Sequence, residues 1–308
     1  GLGDVYKRQE EALDAYGLPL ELRYLPIIES ALNPSAVSRA GASGLWQFMI
    51  GTGKIYGLES NSLVDERRDP IKATWAAARY LKEMYDIYGD WNLVIAAYNC
   101  GPGTINKAIR RANGETDYWK IYNYLPKETR GYVPAFIAAN YVMTYYCDHN
   151  ICPMETNIPA STDTVQVNKN LHFEQIADLC NVPLDQIKSL NPQYKKQMIP
   201  GDSKPYTLRL PIDAISTFID KQDTIYTHRA DELFRNRKTV AVKDITPATR
   251  KTTSAVAGKG NLTYYTIKSG DTLSTIARKY GVTIKDIQRW NGMSSTKIAA
   301  GKRLKIYK

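Results

Sequence analysis

The chain has 308 residues, a formal net charge of +10, 43% hydrophobic residues and 23% charged residues. This composition is typical of globular proteins and excludes a wholly disordered chain. The length predicts two or three domains, and no apolar run reaches the about 18 residues that a membrane-spanning helix needs. Residues 221–308 contain 19 Lys or Arg against 6 Asp or Glu, whereas the first 220 residues are slightly acidic. The basic excess therefore belongs to the C-terminal region, where it could serve nucleic acid, an anionic surface or an acidic polymer.

The N-terminal residues need separate treatment. Asp4–Gln9 back-translates into codons that match the end of a transposon-based sequencing adapter. We interpret residues 1–9 as a scar of that adapter and leave them out of the fold prediction. On this interpretation the natural N-terminus is missing, and the absence of a signal peptide carries no information about localisation.

Residues 10–157 have a helical pattern and predict one all-α domain. Apolar residues recur at helical spacing over residues 70–81. Asp69 is suited to cap this helix, with Pro70 in the first helical position. Gly89 is expected to end the helix. Further helices are predicted over residues 92–98 and 134–146.

The sequence after residue 159 contains an internal repeat at an offset of 100 residues, with Asn191 and Asn291 at equivalent positions. A repeat with apolar residues in register predicts a duplicated module, and each copy reads strand, helix, helix, strand. In the second copy, Asp271 is expected to cap the first helix. Thr283 and Asp286 resemble a capping box at the second helix. We assign residues 163–213 to the first copy, 214–261 to a basic linker and 262–308 to the second copy.

Glu29 is the candidate for acid–base chemistry. It follows the apolar run Leu25–Ile28, and burial raises the pKa of a carboxyl group, which suits a general acid at neutral pH. From this feature alone, a salt-bridged helix residue is the more common interpretation. A longer pattern around Glu29 favours the catalytic one.

The sequence around Glu29 resembles the Slt-type lytic transglycosylases of glycoside hydrolase family 23. The motif ESALNPSAVSRAGASGLWQFM fills residues 29–49, and the blocks AYNCGPG (residues 97–103) and LPKETRGYV (residues 125–133) also agree with this family. The resemblance covers residues 12–146 and implies a lysozyme-like fold. It implies that Glu29 first protonates the β-1,4 glycosidic oxygen between N-acetylmuramic acid and N-acetylglucosamine. Glu29 then takes the proton of the muramic acid C6 hydroxyl, which attacks its own C1 and gives a 1,6-anhydro end without consuming water.

The resemblance also implies a set of substrate-binding residues near the cleavage point. Tyr98 is expected to donate a hydrogen bond to Glu29 and to orient it, although a core aromatic residue is the alternative. Ser38 and Gln47 carry a hydroxyl and an amide that suit sugar hydroxyl and N-acetyl groups. Gly44 has the alternative role of permitting a tight backbone path. The full set is Ser38, Gly44, Gln47, Met49, Tyr98, Asn99 and Tyr132.

The second copy of the repeat resembles a LysM domain. Its opening stretch Tyr265–Ala277 carries the signature, and the match covers residues 263–307. LysM domains bind glycans that contain N-acetylglucosamine in a groove between the first strand–helix loop and the second helix–strand loop. The first copy departs from the signature at residues 169–173, so glycan binding by this copy is open and a structural spacer is the alternative. In the second copy the groove would use Gly270, Asp271, Thr272, Asn291 and Ile298.

Two of the four cysteines lie close together in the sequence. Cys147 and Cys152 could form a disulfide in an oxidising compartment. Part of a metal site is the alternative, but the sequence offers no complete ligand set. We therefore expect no bound metal and no cofactor.

Three functions follow from these features. The first is a peptidoglycan lytic transglycosylase, a carbon–oxygen lyase acting on polysaccharide, tethered to the wall by LysM. The alternatives are a lysozyme-like peptidoglycan hydrolase and a catalytically weak glycan-binding protein. Ordinary glycosidases use two carboxylates, and the block around Glu29 contains no second acid. Glu128 is expected to form a structural ion pair with Arg130 rather than to act in catalysis.

The expected partner is the glycan strand of peptidoglycan. No nucleic-acid-binding motif accompanies the basic C-terminal region, so we expect adhesion to an anionic wall or membrane surface and no nucleic acid. The expected location is the bacterial cell envelope, as a periplasmic protein or an outer-membrane lipoprotein anchored through the missing N-terminus.

Overall fold

The computed structural model describes residues 2–152, 159, 161–234, 262–267, 271–291, 293, 298 and 301–307. The chain divides into two compact units, Gly1–Thr246 and Pro247–Lys308. The first unit contains a helical domain and a small α+β module, and the second contains another small α+β module. This is the predicted fold class, an all-α domain followed by two βααβ modules, which is confirmed.

The helical domain encloses one apolar core, in which Leu13, Trp46 and Leu81 have no exposed surface. Short 3-10 helices at Leu20–Tyr24, Glu66–Arg68 and Tyr122–Tyr124 connect its longer elements. The α-helices of this domain are α1 (Leu2–Ala15), α2 (Leu25–Ser30), α3 (Ile50–Ile55), α4 (Pro70–Tyr88), α5 (Trp91–Cys100), α6 (Pro102–Arg111), α7 (Tyr118–Ile121) and α8 (Lys127–Thr144). Helix α1 includes the residues that we interpret as an adapter scar, and a helical backbone does not test that interpretation.

Helix α4 begins and ends as the sequence predicts. The Asp69 carboxylate accepts hydrogen bonds from the backbone N–H groups of Ile71 and Lys72, which would otherwise lack partners. Gly89 ends the helix with φ of 62°, a conformation that costs glycine little. Both boundaries are therefore set by local chemistry.

Helix α8 starts earlier than predicted and contains Pro134 in its interior. Proline has no N–H group, so the carbonyl of Arg130, four residues earlier, loses its usual helical partner. The buried Tyr118 hydroxyl donates a hydrogen bond to this carbonyl oxygen at 2.9 Å. Tyr118 thus supplies the missing donor, and α8 runs through the proline.

The α+β module of the first unit has a core of its own, which includes Phe173, Ile187 and Leu208. Strands β1 and β4 are antiparallel, and β2 pairs antiparallel with β3. A 3-10 helix at Lys195–Gln197 precedes β3. The elements are β1 (Thr162–Val167), β2 (Asn170–His172), α9 (Phe173–Cys180), α10 (Leu184–Leu190), β3 (Met198–Pro200), β4 (Tyr206–Pro211), α11 (Ile212–Asp220), α12 (Gln222–Thr227) and α13 (Ala230–Leu233).

The segment assigned to the linker, residues 214–261, departs from its assignment at its N-terminal end. Helices α11, α12 and α13 lie there, and Phe218 and Ile225 are buried in the core of the preceding module. These apolar residues give the helices a face to bury. The helices that pack on this module therefore continue past residue 213 to Leu233, and residues 235–261 lie outside the described residues.

The second unit repeats the βααβ order. Strands β5 and β6 pair antiparallel, from Leu262 opposite Tyr307 to Thr266 opposite Arg303. The predicted capping box is present, because Thr283 and Asp286 exchange hydrogen bonds between side chain and backbone N–H. The elements are β5 (Leu262–Thr266), α14 (Leu273–Tyr280), α15 (Ile284–Trp290) and β6 (Arg303–Tyr307).

One asparagine joins the second helix to the last strand in both modules. The Asn191 side-chain amide donates to the carbonyls of Ile187 and Arg209, and its oxygen accepts from the Arg209 N–H at 2.8 Å. Asn291 makes the same three bonds to Ile287 and Lys305. These shared hydrogen bonds explain why both copies of the repeat have asparagine at this position.

Among the residues that the structure describes, none of the helices combines the length and the apolar character that spanning a membrane requires.

We expect Asn191→Ala to destabilise the first unit. Asn191 has no exposed surface, and the change leaves buried backbone groups without partners, at about 1–3 kcal/mol each. Chemical denaturation of the full chain measures the change in the free energy of unfolding. Lys188→Ala, which removes an exposed ion pair with Asp185, is the control and should change stability by less than about 0.5 kcal/mol. Equal effects of the two changes would contradict this role of Asn191.

Candidate active site

Glu29 lies in the last turn of the short helix α2. The helix is anchored by Leu25 and Pro26, both buried, and Glu29 itself is half-buried. The two residues that follow, Ala31 and Leu32, have φ of 50° and 61°. Non-glycine residues adopt this left-handed conformation at a cost, and such strain is common at functional sites. The strained turn ends α2 directly after the predicted catalytic residue.

The environment of Glu29 favours a protonated carboxyl near neutral pH. The pKa of Glu29 is raised to about 7, and burial is the largest cause. The negative charge of Glu128 also contributes to this rise, whereas a hydrogen bond from the Tyr132 hydroxyl opposes it. A carboxyl group with a pKa near 7 can donate a proton and take one back at the same pH.

Tyr132, on α8, is the hydrogen-bond partner of Glu29. The prediction that Tyr98 fills this role is wrong, because the Tyr98 hydroxyl donates to the carbonyl oxygen of Trp46 at 2.7 Å. Burial, together with the charge of Glu29, holds the pKa of Tyr98 well above its usual value. Tyr98 is therefore an uncharged phenol that holds the Trp46 backbone close to the candidate acid.

The expected ion pair between Glu128 and Arg130 is not the arrangement that the structure has. The Arg130 guanidinium donates instead to the backbone carbonyls of Leu125 and Asn123, at 3.0 and 2.8 Å. Glu128 is exposed, and its charge acts on Glu29. Because Glu128 lies 99 residues after Glu29, the motif around Glu29 could not indicate that this second carboxylate acts on it.

The loop over residues 36–49 supplies most of the predicted substrate-binding residues. Gly44 has φ of 88°, and a Cβ atom there would lie 1.7 Å from the backbone oxygen of Arg67. A side chain is therefore excluded at Gly44 for steric reasons. Met49 is half-buried and directly precedes α3.

The polar residues of this loop also close it internally. The Ser38 hydroxyl accepts a hydrogen bond from the Ala42 N–H at 3.0 Å. The Gln47 side-chain nitrogen donates to the carbonyl of Gly44 at 2.8 Å. Asn99, on α5, accepts from the Thr129 hydroxyl at 2.8 Å. The contacts of Ser38 and Gln47 fix the backbone of the loop, and the contact of Asn99 joins α5 to α8. Binding of sugar by these residues stays a prediction.

Sequence reasoning missed Arg67, which is buried behind this loop. Its guanidinium donates to the carbonyls of Gly41 and Phe48, at 2.8 and 2.9 Å. It also forms a two-pronged pair with the Asp65 carboxylate, with both N···O distances 2.8 Å. The run Asp65–Arg68 of four charged residues resembles an exposed face in the sequence, which is why its burial could not be inferred.

The predicted LysM residues divide between two roles. Asn291 and Ile298 line a cavity of about 410 Å³ next to β6. Asp271 accepts a hydrogen bond from the Tyr265 hydroxyl at 2.8 Å. The predicted cap of α14 by Asp271 is wrong, because the Thr272 hydroxyl accepts from the Thr275 N–H and makes the cap. Gly270 lies outside the described residues.

Cys147 and Cys152 are free, exposed thiols in the structure. The expected disulfide between them is therefore absent. Among the described residues, no cluster of three or more His, Cys, Asp or Glu side chains could hold a metal ion.

The pKa of Glu29 can be tested directly. We expect Tyr132→Phe to raise this pKa above about 7, because it removes the bond that stabilises the carboxylate, and Glu128→Gln to lower it. Carbon-13 NMR titration of the glutamate carboxyl groups, assigned with Glu29→Gln, measures both shifts. The exposed Glu21 supplies the control, since Glu21→Gln should leave the titration of Glu29 unchanged. A Glu29 that titrates near about 4.3, as a free glutamate does, would refute the assignment.

Three family descriptions match separate parts of the chain. Residues 8–121 match "Transglycosylase SLT domain". Residues 161–227 match "Lytic transglycosylase MltD, LysM-like domain", and residues 265–306 match "LysM domain". The matches follow the division into a helical domain and two small modules.

Two curated relatives of this chain are lytic murein transglycosylases of Escherichia coli. The chain is 33% identical over 293 residues to membrane-bound lytic murein transglycosylase D of Escherichia coli K12, covering 94% of this chain and 60% of that protein. It is 33% identical over 124 residues to the soluble lytic murein transglycosylase of the same strain, covering 38% of this chain and 19% of that protein. The solved 70 kDa soluble lytic transglycosylase Slt70 of E. coli is 30% identical, with 47% of this chain and 24% of that chain covered and a TM-score of 0.39. The chain therefore carries, in order, regions similar to an SLT domain, an MltD-type LysM-like domain and a LysM domain.

Proposed function

We propose that the protein is a peptidoglycan lytic transglycosylase, which cleaves the β-1,4 bond between N-acetylmuramic acid and N-acetylglucosamine and leaves 1,6-anhydromuramic acid ends. The observation that carries the proposal is Glu29, a half-buried carboxyl with a pKa of about 7 that is held by Tyr132. The chain spans 60% of the length of the curated relative that it matches over most of its own length. The activity and substrate of the whole protein are therefore part of the proposal.

The first step uses Glu29 as an acid. Its carboxyl proton passes to the glycosidic oxygen as the bond from that oxygen to C1 of muramic acid breaks, and the N-acetylglucosamine hydroxyl leaves. Because the pKa of Glu29 is about 7, part of the Glu29 side chains carry the required proton near neutral pH. The hydrogen bond from Tyr132 then stabilises the carboxylate that remains.

The second step uses the same Glu29 as a base. The carboxylate takes the proton of the muramic acid C6 hydroxyl while O6 forms its bond to C1, which closes the 1,6-anhydro ring. The attacking hydroxyl belongs to the sugar itself, so its effective concentration is high and no water is needed. The proton returns to Glu29, and the residue is ready for another cycle.

The loop over residues 36–49 and the end of α5 are proposed to hold the sugars. Ser38, Gln47 and Asn99 bring hydroxyl and amide groups to this region, and Met49 adds an apolar surface. Tyr98 holds the Trp46 carbonyl in place. The absence of a side chain at Gly44 lets the loop pack against Arg67.

A lysozyme-like hydrolase is the second candidate function, because Glu128 is a second carboxylate whose charge acts on Glu29. A second carboxylate could activate water on the opposite face of the sugar. The two reactions give different products, so the product decides between them.

We expect purified murein sacculi to release muropeptides with 1,6-anhydromuramic acid ends, as measured by mass spectrometry. Reducing ends would show hydrolysis, and the absence of any soluble product would leave binding alone. Glu29→Gln should lower release about 10²–10⁴-fold, because the proton donor is lost. Glu21→Gln, an exposed change nearby, is the matched control, and near-normal turnover by Glu29→Gln would refute the role of Glu29.

The C-terminal LysM domain is proposed to tether the enzyme to wall glycan, with Asn291 and Ile298 in its cavity. Gly270, Asp271 and Thr272 are proposed to belong to the same groove. The cell envelope is the compartment in which this substrate occurs. A periplasmic or outer-membrane location, with a lipid anchor on a segment ahead of residue 1, belongs to the proposal and is supported by the words "membrane-bound" in the name of the relative.

Binding to the wall should depend on salt, because residues 221–308 contain 19 basic and 6 acidic residues. We expect the Glu29→Gln protein to bind sacculi more weakly as salt rises from about 0.01 M to about 1 M, since the screening length falls from about 30 Å to about 3 Å. Co-sedimentation measures the bound fraction. Binding that does not change with salt would mean that hydrogen bonds and shape alone hold the wall.

A further inference from the structure

Residues 59–68, here called the bridging segment, join the helical domain to the first α+β module. Two of its side chains, Leu63 and Val64, have 1% and 0% exposure and belong to the apolar core of the module. The backbone of Val64 also pairs with that of Tyr194 as an isolated antiparallel bridge. A segment of the helical domain thus contributes to the core of the module.

Hydrogen bonds fix the bridging segment to the module along its length. The Lys195 N–H donates to the Leu63 carbonyl at 2.6 Å, and the Asp65 N–H donates to the Gln193 carbonyl at 2.8 Å. The Lys195 ammonium group donates to the Asn61 carbonyl at 2.9 Å and lies 3.8 Å from the Asp65 carboxylate. Buried backbone groups are costly to leave without partners, so these bonds oppose separation.

Further polar contacts of Glu59 lie at the edge of the apolar contact between the bridging segment and the module. The Glu59 carboxylate accepts from the Tyr206 hydroxyl at 3.0 Å and forms an ion pair with Lys204 at 2.7 Å. Apolar side chains at the centre with polar groups at the edge are the arrangement of a stable protein interface.

The opposite side of the bridging segment holds the predicted substrate loop. Arg67 spans the loop by its bonds to the carbonyls of Gly41 and Phe48. Arg68 donates to the Ser43 hydroxyl at 3.2 Å. Because Asp65 clamps the Arg67 guanidinium on both prongs, the arginine has a single position from which to hold the loop.

The same loop continues to the neighbours of Glu29. The Leu45 carbonyl accepts a hydrogen bond from the Ser30 hydroxyl at 2.8 Å, and Ser30 is the residue after Glu29. The Trp46 carbonyl accepts from Tyr98. A continuous chain of buried or half-buried contacts therefore runs from the module, through Asp65 and Arg67, to the site.

The first module has closed the region that forms the groove in a LysM fold. Its two groove-forming loops contain β2 and β3, which pair with each other from Asn170 opposite Pro200 to His172 opposite Met198. Asn170 is also bonded to the Asp202 carboxylate through its N–H at 3.0 Å. Backbone groups that are paired with each other in this ladder are not available to hydrogen-bond a glycan between these loops.

We propose that the first LysM-like module is an internal brace for the catalytic domain, and that Arg67 is a positioning residue that sets the substrate loop through its pair with Asp65. The inference rests on the proposed function for its effect on turnover. Its structural part, the order of the loop, stands apart from that function. The chemistry of the site remains that of Glu29.

The test compares Arg67→Lys, Asp65→Asn and Leu63→Ala in the full chain. Hydrogen–deuterium exchange should become at least about tenfold faster over residues 41–48 in all three, with α5 unchanged. Lysine keeps the charge but cannot bond to both carbonyls and to Asp65 at once. Lys82→Ala removes an exposed ion pair with Asp86 on α4 and is the control, which should leave residues 41–48 unchanged.

Turnover of a soluble glycan fragment is the second measurement. We expect kcat to fall about 10- to 100-fold in Arg67→Lys, because misplacement of substrate by about 1 Å can cost about 10²-fold. The pKa of Glu29 should stay the same, so the pH profile of the residual activity keeps its shape. Arg67→Lys should retain more activity than Arg67→Ala.

Unchanged exchange over residues 41–48 in Leu63→Ala, with the module loosened, would overturn the brace. Unchanged kcat in Arg67→Lys in an active protein would overturn the positioning role. If the unmodified protein releases no product, the proposed function fails, and the exchange experiment still decides whether the module supports the loop.

Discussion

The buried pair between Asp65 and Arg67 is the interaction on which the arrangement of the first unit depends. Charges removed from water are stable only when each is paired and hydrogen-bonded, and Arg67 meets this condition with one carboxylate and two backbone carbonyls. Because the guanidinium is a rigid planar fork, its partners must lie at fixed positions. The pair therefore sets the distance between the bridging segment and the loop that faces the candidate site.

The candidate site uses burial in a different way. Around Arg67, burial is compensated by partners, so the charge persists. Around Glu29, burial raises the pKa by more than the hydrogen bond from Tyr132 lowers it, so the pKa is about 7. The carboxyl group can therefore gain or lose its proton near neutral pH. The loop lies between these two environments. On one side, the charged Arg67 guanidinium holds the loop. On the other side, the loop contacts Ser30, the neighbour of Glu29, whose carboxyl group can change its charge.

The two modules show how one repeat can serve different purposes. Asn191 and Asn291 make the same three hydrogen bonds, because joining the second helix to the last strand is a requirement of the βααβ fold. The loops have no such requirement and have diverged. In the first copy they pair with each other as β2 and β3, and in the second copy Asn291 and Ile298 line a cavity of about 410 Å³ beside β6. Conserved framework and altered loops are thus separable within one chain.

The sequence by itself determined the features that depend on local spacing. The helix caps of α4, the repeat and the βααβ order follow from residues that are close together or periodic, and the motif over residues 29–49 marks Glu29 as the candidate. Tertiary structure decided the contacts between distant segments. Tyr132 rather than Tyr98 reaches Glu29, across 103 residues. Asp65, Glu66 and Arg67 are buried, because Asp65 lies beside Lys195 of the module and Arg67 packs against the loop over residues 36–49. Sequence spacing carries no information on such contacts, since which distant side chains meet is settled only when the helices and the module pack together.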